Sequence, residues 1–360
     1  MNNLQQRSKI RIKDIALLSG VSEGTVDRVI HNRGEVSAKS LEAVNKALKE
    51  LDYSPNLFAR SLASRKQYRF VCLIPNYKTG EYWEGIANSI DSAAREFENY
   101  NVFIDKKYFD QLDASSFAEV AESVFLQLPD AVILSPFFRT ETLDFVAKLS
   151  ARHIPFSFFD SMIENTGFLT YYGQNSFQSG YAAAKLLLEN LPASSEILII
   201  RTQRKKDVVS NQTFNRYKGF LQYIENDGLK EKLKLIDVLL VDNDEDANVN
   251  LLREIFAKHR AIKAAITFNS KVYQLAMCLE TLQQTGVRLL GYDLLEQNVN
   301  YLKQGVISYL IAQRPEKQVY CSVRDACREL IFKQAVTKIN YVPIDILMKE
   351  NIDYYIDFKE

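Results

Sequence analysis

The 360-residue sequence has few of the residues that bind metals or form disulfides, with four cysteines and three histidines, and only one tryptophan. Cys72, Cys278, Cys321 and Cys327 form no CxxC pair, so they read as buried or incidental reduced thiols. His31, His153 and His259 show no metal-ligand spacing, and no metal site is expected. No apolar run approaches the ~18 residues of a membrane span. The N-terminal MNNLQQRSKIRIKD is polar, without an apolar signal region. These absences point away from a membrane or exported protein and toward the cytoplasm. The length suggests two or three domains, each able to bury a core.

Net charge is zero overall but uneven along the chain. Residues 1–69 carry 13 Lys and Arg against 7 Asp and Glu, whereas the remainder carries 32 against 38. A basic head on an acidic body suggests that the head meets a polyanion.

Within the head, DIALLSGVSEGTVDRVI (14–30) breaks one helical pattern into two. Ile12, Ile15 and Ala16 form one apolar stripe; Val26, Val29 and Ile30 form another. Gly20 between them suits the left-handed conformation of a tight turn, and Ser22 suits an N-cap. Helix, glycine turn and helix is the helix-turn-helix pattern, whose second helix enters the DNA major groove. A third helix is expected after Ser37, with Leu41, Val44, Leu48 and Leu51 on its core face. Residues 53–66, YSPNLFARSLASRK, start a short helix at Ser54-Pro55, with Arg60, Arg65 and Lys66 around Leu57, Phe58 and Leu62. So short a basic helix is marginal alone and suits folding on DNA.

The pieces DIALLSGVS, TV.RV, the third helix, L.Y.PN and A..LA closely resemble the DNA-binding head of the lactose-repressor (LacI) family of bacterial regulators. That resemblance implies that the second helix reads base edges and that the linker becomes a hinge helix with Leu62 as its minor-groove wedge. It places Ser22, Glu23, Gly24, Thr25, Arg28, His31, Asn32, Arg60 and Leu62 at the DNA. Arg28 suits guanine, whose O6 and N7 accept a bidentate guanidinium. Gly24 departs from the larger polar residue often found there, and Asp27 is an unusual charge beside phosphate.

From residue 68 the rhythm changes. YRFVCLIP, DAVILSP, IPFSFFD, EILIIR, LIDVLLV, AAITFN and VRLLGYD are short apolar runs separated by helical patterns, including 82–97, 117–128, 177–190 and 271–284. This alternation indicates parallel α/β sheets covered on both faces, with ligand at the carboxyl ends of the strands. No GxGxxG, GxxxxGK(S/T) or GxSxG motif appears in this body, so neither a cofactor nor catalysis is expected. Asp160, Asn269 and Asp293 end apolar runs and suit a polar-ligand cleft, although Asp293 and Asn269 also stand where a helix cap would.

Over roughly residues 68–350 the body resembles the type I periplasmic-binding-protein-like domain of the same family and sugar-binding proteins of the ribose-binding kind. The resemblance implies an aromatic pair at Tyr82 and Trp83, polar contacts from Asp160, Asn269, Asp293 and Gln313, a clamping Arg216, and a further cleft residue at Asn175. Ser161 departs from the arginine often found beside the aspartate, which leaves the sugar open.

The expected architecture is therefore an all-α helix-turn-helix head (1–53), a hinge helix or linker (54–67), and a two-lobed α/β effector domain (68–350) with a tail (351–360). The lobes are expected at about 68–161 plus 293–312, and 162–292 plus 313–345. The expected function is a ligand-responsive transcription regulator, most simply a repressor. It would bind a pseudo-palindromic double-stranded operator as a homodimer and a sugar or sugar derivative between its lobes. The alternative is a constitutive DNA-binding regulator with a non-sugar or degenerate cleft.

Overall fold

The computed structural model describes residues 11–30, 34–51, 66–203, 210–242 and 244–357. The chain divides into two compact units, residues 1–65 and 66–360. In the first unit, helix α1 (Ile12–Ser19) ends at Gly20, which has φ 69° and donates its N–H to the Ala16 carbonyl. Helix α2 (Glu23–Ile30) starts where the Ser22 hydroxyl accepts the Thr25 N–H at 3.2 Å. Ser37 caps α3 (Ala38–Glu50) in the same way through Ser40. Ile15, Val26, Val44 and Ala47 form the buried core, with Ile12, Ala16, Val29, Ile30, Leu48 and Leu51 packed around them. Leu41 departs from the expected stripe. It is 43% exposed, because Val44 and Ala47, three residues apart, set the face that α3 turns inward. The expected hinge segment, with Arg60 and Leu62, lies outside the described residues, as do His31 and Asn32.

The second unit contains two six-stranded sheets. The first sheet takes β1 (Tyr68–Pro75), β2 (Val102–Phe109), β3 (Ala131–Leu134), β4 (Phe156–Phe159), β5 (Tyr171–Gly173) and β11 (Ile339–Tyr341), in the order β11-β5-β4-β3-β1-β2. All its pairs are parallel. The second takes β6 (Ser195–Gln203), β7 (Leu233–Val241), β8 (Ile262–Thr267), β9 (Arg288–Tyr292), β10 (Tyr309–Ala312) and β12 (Asp345–Leu347), in the order β12-β10-β9-β8-β6-β7. Among the described residues, β12 alone in that sheet runs antiparallel to its neighbour. Its apolar side chains divide into two buried clusters, one built around Leu198, Leu252 and Leu275, the other around Ile197, Phe220 and Ile266. Neighbouring residues of β6 point to opposite faces, so a near-continuous apolar run buries both.

The expected lobe division needs correction at its second half. Strand β10 pairs with β9 in the second sheet, so 293–312 stays with that lobe. Between them lies only α11 (Glu296–Gln304), and a parallel crossover that short closes onto an adjacent strand. Helix α12 (Pro315–Leu330) and β11 return to the first lobe, where Ser322 Oγ reaches the Phe158 carbonyl and β11 pairs with β5. Residues 171–173 likewise belong to the first lobe, by pairing with β4. The expected tail is also structured. Ile352–Asp357 forms a helix, whose Ile352 is buried in the second lobe's core.

Candidate functional site: a polar cleft and an exposed recognition helix

A cleft of about 900 Å³ opens between the carboxyl ends of the two sheets. Tyr82, Trp83 and Asp160 come to it from the first lobe, Arg216, Asn269 and Asp293 from the second.

Asp160 follows β4 and Asp293 follows β9, each in the left-handed conformation and each buried. Tyr82 donates its hydroxyl to Asp160 Oδ1 at 2.8 Å, and the Ser135 hydroxyl reaches Oδ2 at 3.3 Å. Burial pushes the Asp160 carboxyl above its ordinary range, against the pull of Tyr82 and Arg216. Asp293 is pushed up to about 6, again by burial, with Arg216 and Gln313 opposing. Tyr82 is held well above the usual phenol range by burial and by the neighbouring Asp160 charge.

Arg216 sits on α8 (Asn211–Asn226), which packs against α7 (Ser176–Leu188) at a glycine contact. A Cβ on Gly180 would lie 1.8 Å from the Arg216 carbonyl oxygen, and one on Gly219 would lie 1.9 Å from that of Phe177. The two backbones therefore touch, and this contact sets the position of the arginine. Its guanidinium stacks 3.8 Å from the centre of the Tyr292 ring, and Nη1 donates to the Phe268 carbonyl at 2.9 Å. Although the residue is only 1% exposed, Nε and Nη2 have no hydrogen-bond partner among the described residues. Unpaired buried donors are costly, and these belong to a residue that lines a cleft with room for a ligand.

The remaining expected residues divide. Asn269 lines the cleft, but its amide is engaged: Nδ2 donates to Thr202 Oγ1 at 3.1 Å, and Oδ1 accepts the Lys271 N–H at 2.9 Å. Gln313 holds Asp293 from behind, donating from Nε2 to Oδ1 at 2.8 Å. Asn175 is not brought to the cleft; its side chain caps α7 by accepting the Gln178 N–H. Trp83 packs edge-on against Phe137 and Phe159. Its ring stands at 85° to that of Tyr82, so at most one of the pair can lie flat on a ligand ring.

Gln212 is the residue the sequence reading missed. Its Nε2 lies 3.2 Å from Asp160 Oδ1 and 2.7 Å from Gln313 Oε1. Tyr82, Asp160, Gln212, Gln313 and Asp293 thus form one polar chain across both lobes. The available signal was spacing: Gln212 stands four residues before Arg216 on one helix face. At the cleft rim Lys271 of the second lobe pairs with Asp242 at 2.8 Å and approaches Glu81 of the first at 4.0 Å.

In the head unit, Ser22, Glu23, Gly24 and Arg28 are exposed and Thr25 is partly so, while Val26 is buried on the opposite face of α2. Ser22 and Thr25 share a hydroxyl contact of 2.9 Å. Arg28 has no ion pair or hydrogen bond among the described residues, which leaves its guanidinium available. Among the described residues, no three His, Cys, Asp or Glu side chains are grouped to hold a metal, and no helix is long and apolar enough to cross a membrane.

Comparison with known proteins places this geometry. Residues 11–56 match the description "Bacterial regulatory proteins, lacI family", and residues 70–334 match a periplasmic binding protein domain. The transcriptional regulator MalR of Streptococcus pneumoniae is 24% identical over 298 residues, covering 81% of this chain and 85% of its own. The sucrose operon repressor of Lactococcus lactis subsp. lactis is 28% identical over 226 residues, covering 61% of this chain and 64% of its own. A crystal structure described as a LacI transcriptional regulator from Bacteroides fragilis superposes with a TM-score of 0.75 at 38% identity, over 81% of this chain and all of that one. The chain belongs to the lacI family of bacterial regulatory proteins, and pairs a helix-turn-helix DNA-binding domain with a periplasmic-binding-protein-like domain.

Proposed function

We propose that this chain is a ligand-responsive repressor that binds a pseudo-palindromic operator as a homodimer and takes a sugar-like small molecule in its inter-lobe cleft. The observation that carries the reading is Arg216, a buried guanidinium lining the cleft with two donors unpaired among the described residues, on the same chain as an exposed second helix of the helix-turn-helix. A cleft that had lost its ligand would have no use for those donors, so Arg216 weighs against the constitutive alternative. The name of the sucrose operon repressor, a similar protein, supports the repressor role.

Ser22, Glu23, Gly24, Thr25 and Arg28 are the residues assigned to the major groove, with His31 and Asn32 beside them and Arg60 and Leu62 on the hinge. Tyr82, Trp83, Asp160, Arg216, Asn269 and Asp293 are assigned to the effector. Closing the lobes on a ligand changes the angle between them, and in a dimer that shifts the two heads relative to two half-sites. No step of this function uses a cofactor or a catalytic group.

The test is selection of DNA sequences from a random pool by the full chain, followed by anisotropy titrations with and without sugars. The expected result is an inverted repeat whose affinity changes at least tenfold with one sugar. Binding that shows no sequence preference, or that no small molecule changes, would overturn the reading.

A further inference from the structure

We propose that the cleft selects an uncharged polyol and rejects sugar acids and sugar phosphates, through the two buried carboxylates, Asp160 and Asp293, that flank Arg216. The inference rests on the reading of the cleft as a sugar-like effector site and names the charge class of that effector.

Two observations carry it. The first is charge: Asp160, Asp293 and Arg216 are all buried at the cleft floor, so two acidic groups face one basic one. The guanidinium is therefore already offset. At the rim Lys271 is bound up with Asp242 and Glu81. A carboxylate or phosphate entering this space meets like charges where little water screens them. Burial, together with the neighbouring charges of Asp160 and Glu316, raises the Asp293 carboxyl to about 6, in keeping with a floor that disfavours further negative charge.

The second observation is hydrogen-bonding capacity. Asp160 is engaged at both oxygens, by Tyr82 and Gln212 at Oδ1 and by Ser135 at Oδ2. Asn269 is likewise engaged on both sides of its amide. Of these four residues, what remains unpaired among the described residues is Asp293 Oδ2, together with the buried Nε and Nη2 of Arg216 at the cleft wall. One acceptor beside two donors fits neighbouring hydroxyls, since each hydroxyl both donates and accepts. An anionic oxygen has no proton to offer Asp293, so it leaves the carboxylate unpaired and adds repulsion.

The experiment is thermal melting and calorimetric titration of the full chain with matched probes. A panel of uncharged mono- and disaccharides, D-glucose and sucrose among them, is compared with glucose 6-phosphate, gluconate and glucuronate. The expected result is that an uncharged sugar binds and that its phosphorylated or oxidised counterpart binds at least tenfold more weakly. Asp293→Asn should weaken the uncharged sugar and narrow that gap, because the repulsive charge is gone. Tighter binding of the phosphate or acid, or a gap unchanged in Asp293→Asn, would overturn the proposal while leaving the effector site standing. Binding of no carbohydrate, charged or uncharged, would instead remove the sugar reading on which the proposal rests.

Discussion

Asp160 and Asp293 occupy equivalent places in the two sheets. Each stands one residue beyond the carboxyl end of a strand, with φ of 66° and 70°, and each is buried to 6% exposure. The left-handed conformation is unfavourable for a side-chain-bearing residue but tolerable for aspartate. Here it turns each carboxylate back over its strand end and into the cleft. The two are joined through Gln212 and Gln313, so the lobes meet through polar contacts as well as through the backbone crossings.

Burial of Asp293 makes stability depend on pH in a defined direction. Its folded-state pKa, about 6, lies above the ordinary 3.8. The folded protein therefore holds this proton more tightly than the unfolded chain does. That contribution is fully present below pH 3.8 and is lost as pH rises through about 6. A shift of that size corresponds to about 3 kcal/mol. Between pH 7 and pH 5 the wild type should gain several degrees in melting temperature relative to Asp293→Asn. Melting curves of both proteins at half-unit pH steps check this; parallel curves would contradict it.

Gly180→Ala should damage the site from a distance. The added Cβ would meet the Arg216 carbonyl oxygen at 1.8 Å, and that atom is backbone, which cannot swing aside. Overpacking of this kind typically costs about 1–3 kcal/mol or more. Separation of α7 from α8 also moves the guanidinium off Tyr292. Urea unfolding should show the stability loss, and whatever protein remains folded should bind effector at least tenfold more weakly. Retained affinity would show that the glycine contact does not position Arg216.

Much of this was legible in the sequence, for reasons that differ between the two units. Gly20, Ser22 and Ser37 act within a few residues, so their turn and cap roles follow from local chemistry. Runs such as EILIIR are buried on both faces and announce strands by composition alone. Strand β2 was missed because Asp105, Lys106 and Lys107 interrupt its apolar pattern on a half-exposed edge. The short β5, β11 and β12 carry too few residues to show a pattern. The lobe division failed at β10, because strand partnership is a long-range property that no local pattern encodes. At the cleft, Asp160 and Asp293 were legible as polar residues ending apolar runs and Arg216 through family resemblance, and all three line the cleft. Asn175 did not follow, because the same residue type at a helix start is as well suited to capping.

Gln212 and Gln313 should couple. Replacing Gln212 with leucine removes a donor from Asp160 and from Gln313 Oε1 and leaves both acceptors buried. A buried acceptor without a partner costs about 1–3 kcal/mol. The Gln212→Leu and Gln313→Leu single variants should each destabilise, while the double variant should cost less than their sum by about 0.5–3 kcal/mol. A double-mutant cycle by chemical unfolding reads this directly. Additive losses would mean that the 2.7 Å contact carries no energy.

Arg28 should set sequence preference rather than bulk affinity for DNA. It lies on the exposed face of α2, one turn beyond Gly24, with no protein partner among the described residues to hold it back. A guanidinium gains most at guanine, where two parallel hydrogen bonds form, and each such pair is worth about 1–3 kcal/mol of discrimination. Lys46, exposed on α3, can contribute only charge if it lies near a phosphate. Arg28→Ala should therefore reduce affinity for the selected operator about ten- to hundredfold while changing binding to unrelated DNA by a far smaller factor. Lys46→Ala should weaken both alike and flatten the salt dependence, or do nothing if no phosphate is near. Anisotropy titrations on operator and scrambled DNA at two salt concentrations separate these effects. An Arg28→Ala variant that loses both affinities equally would place Arg28 at the phosphate backbone and give base recognition to Glu23 or Thr25.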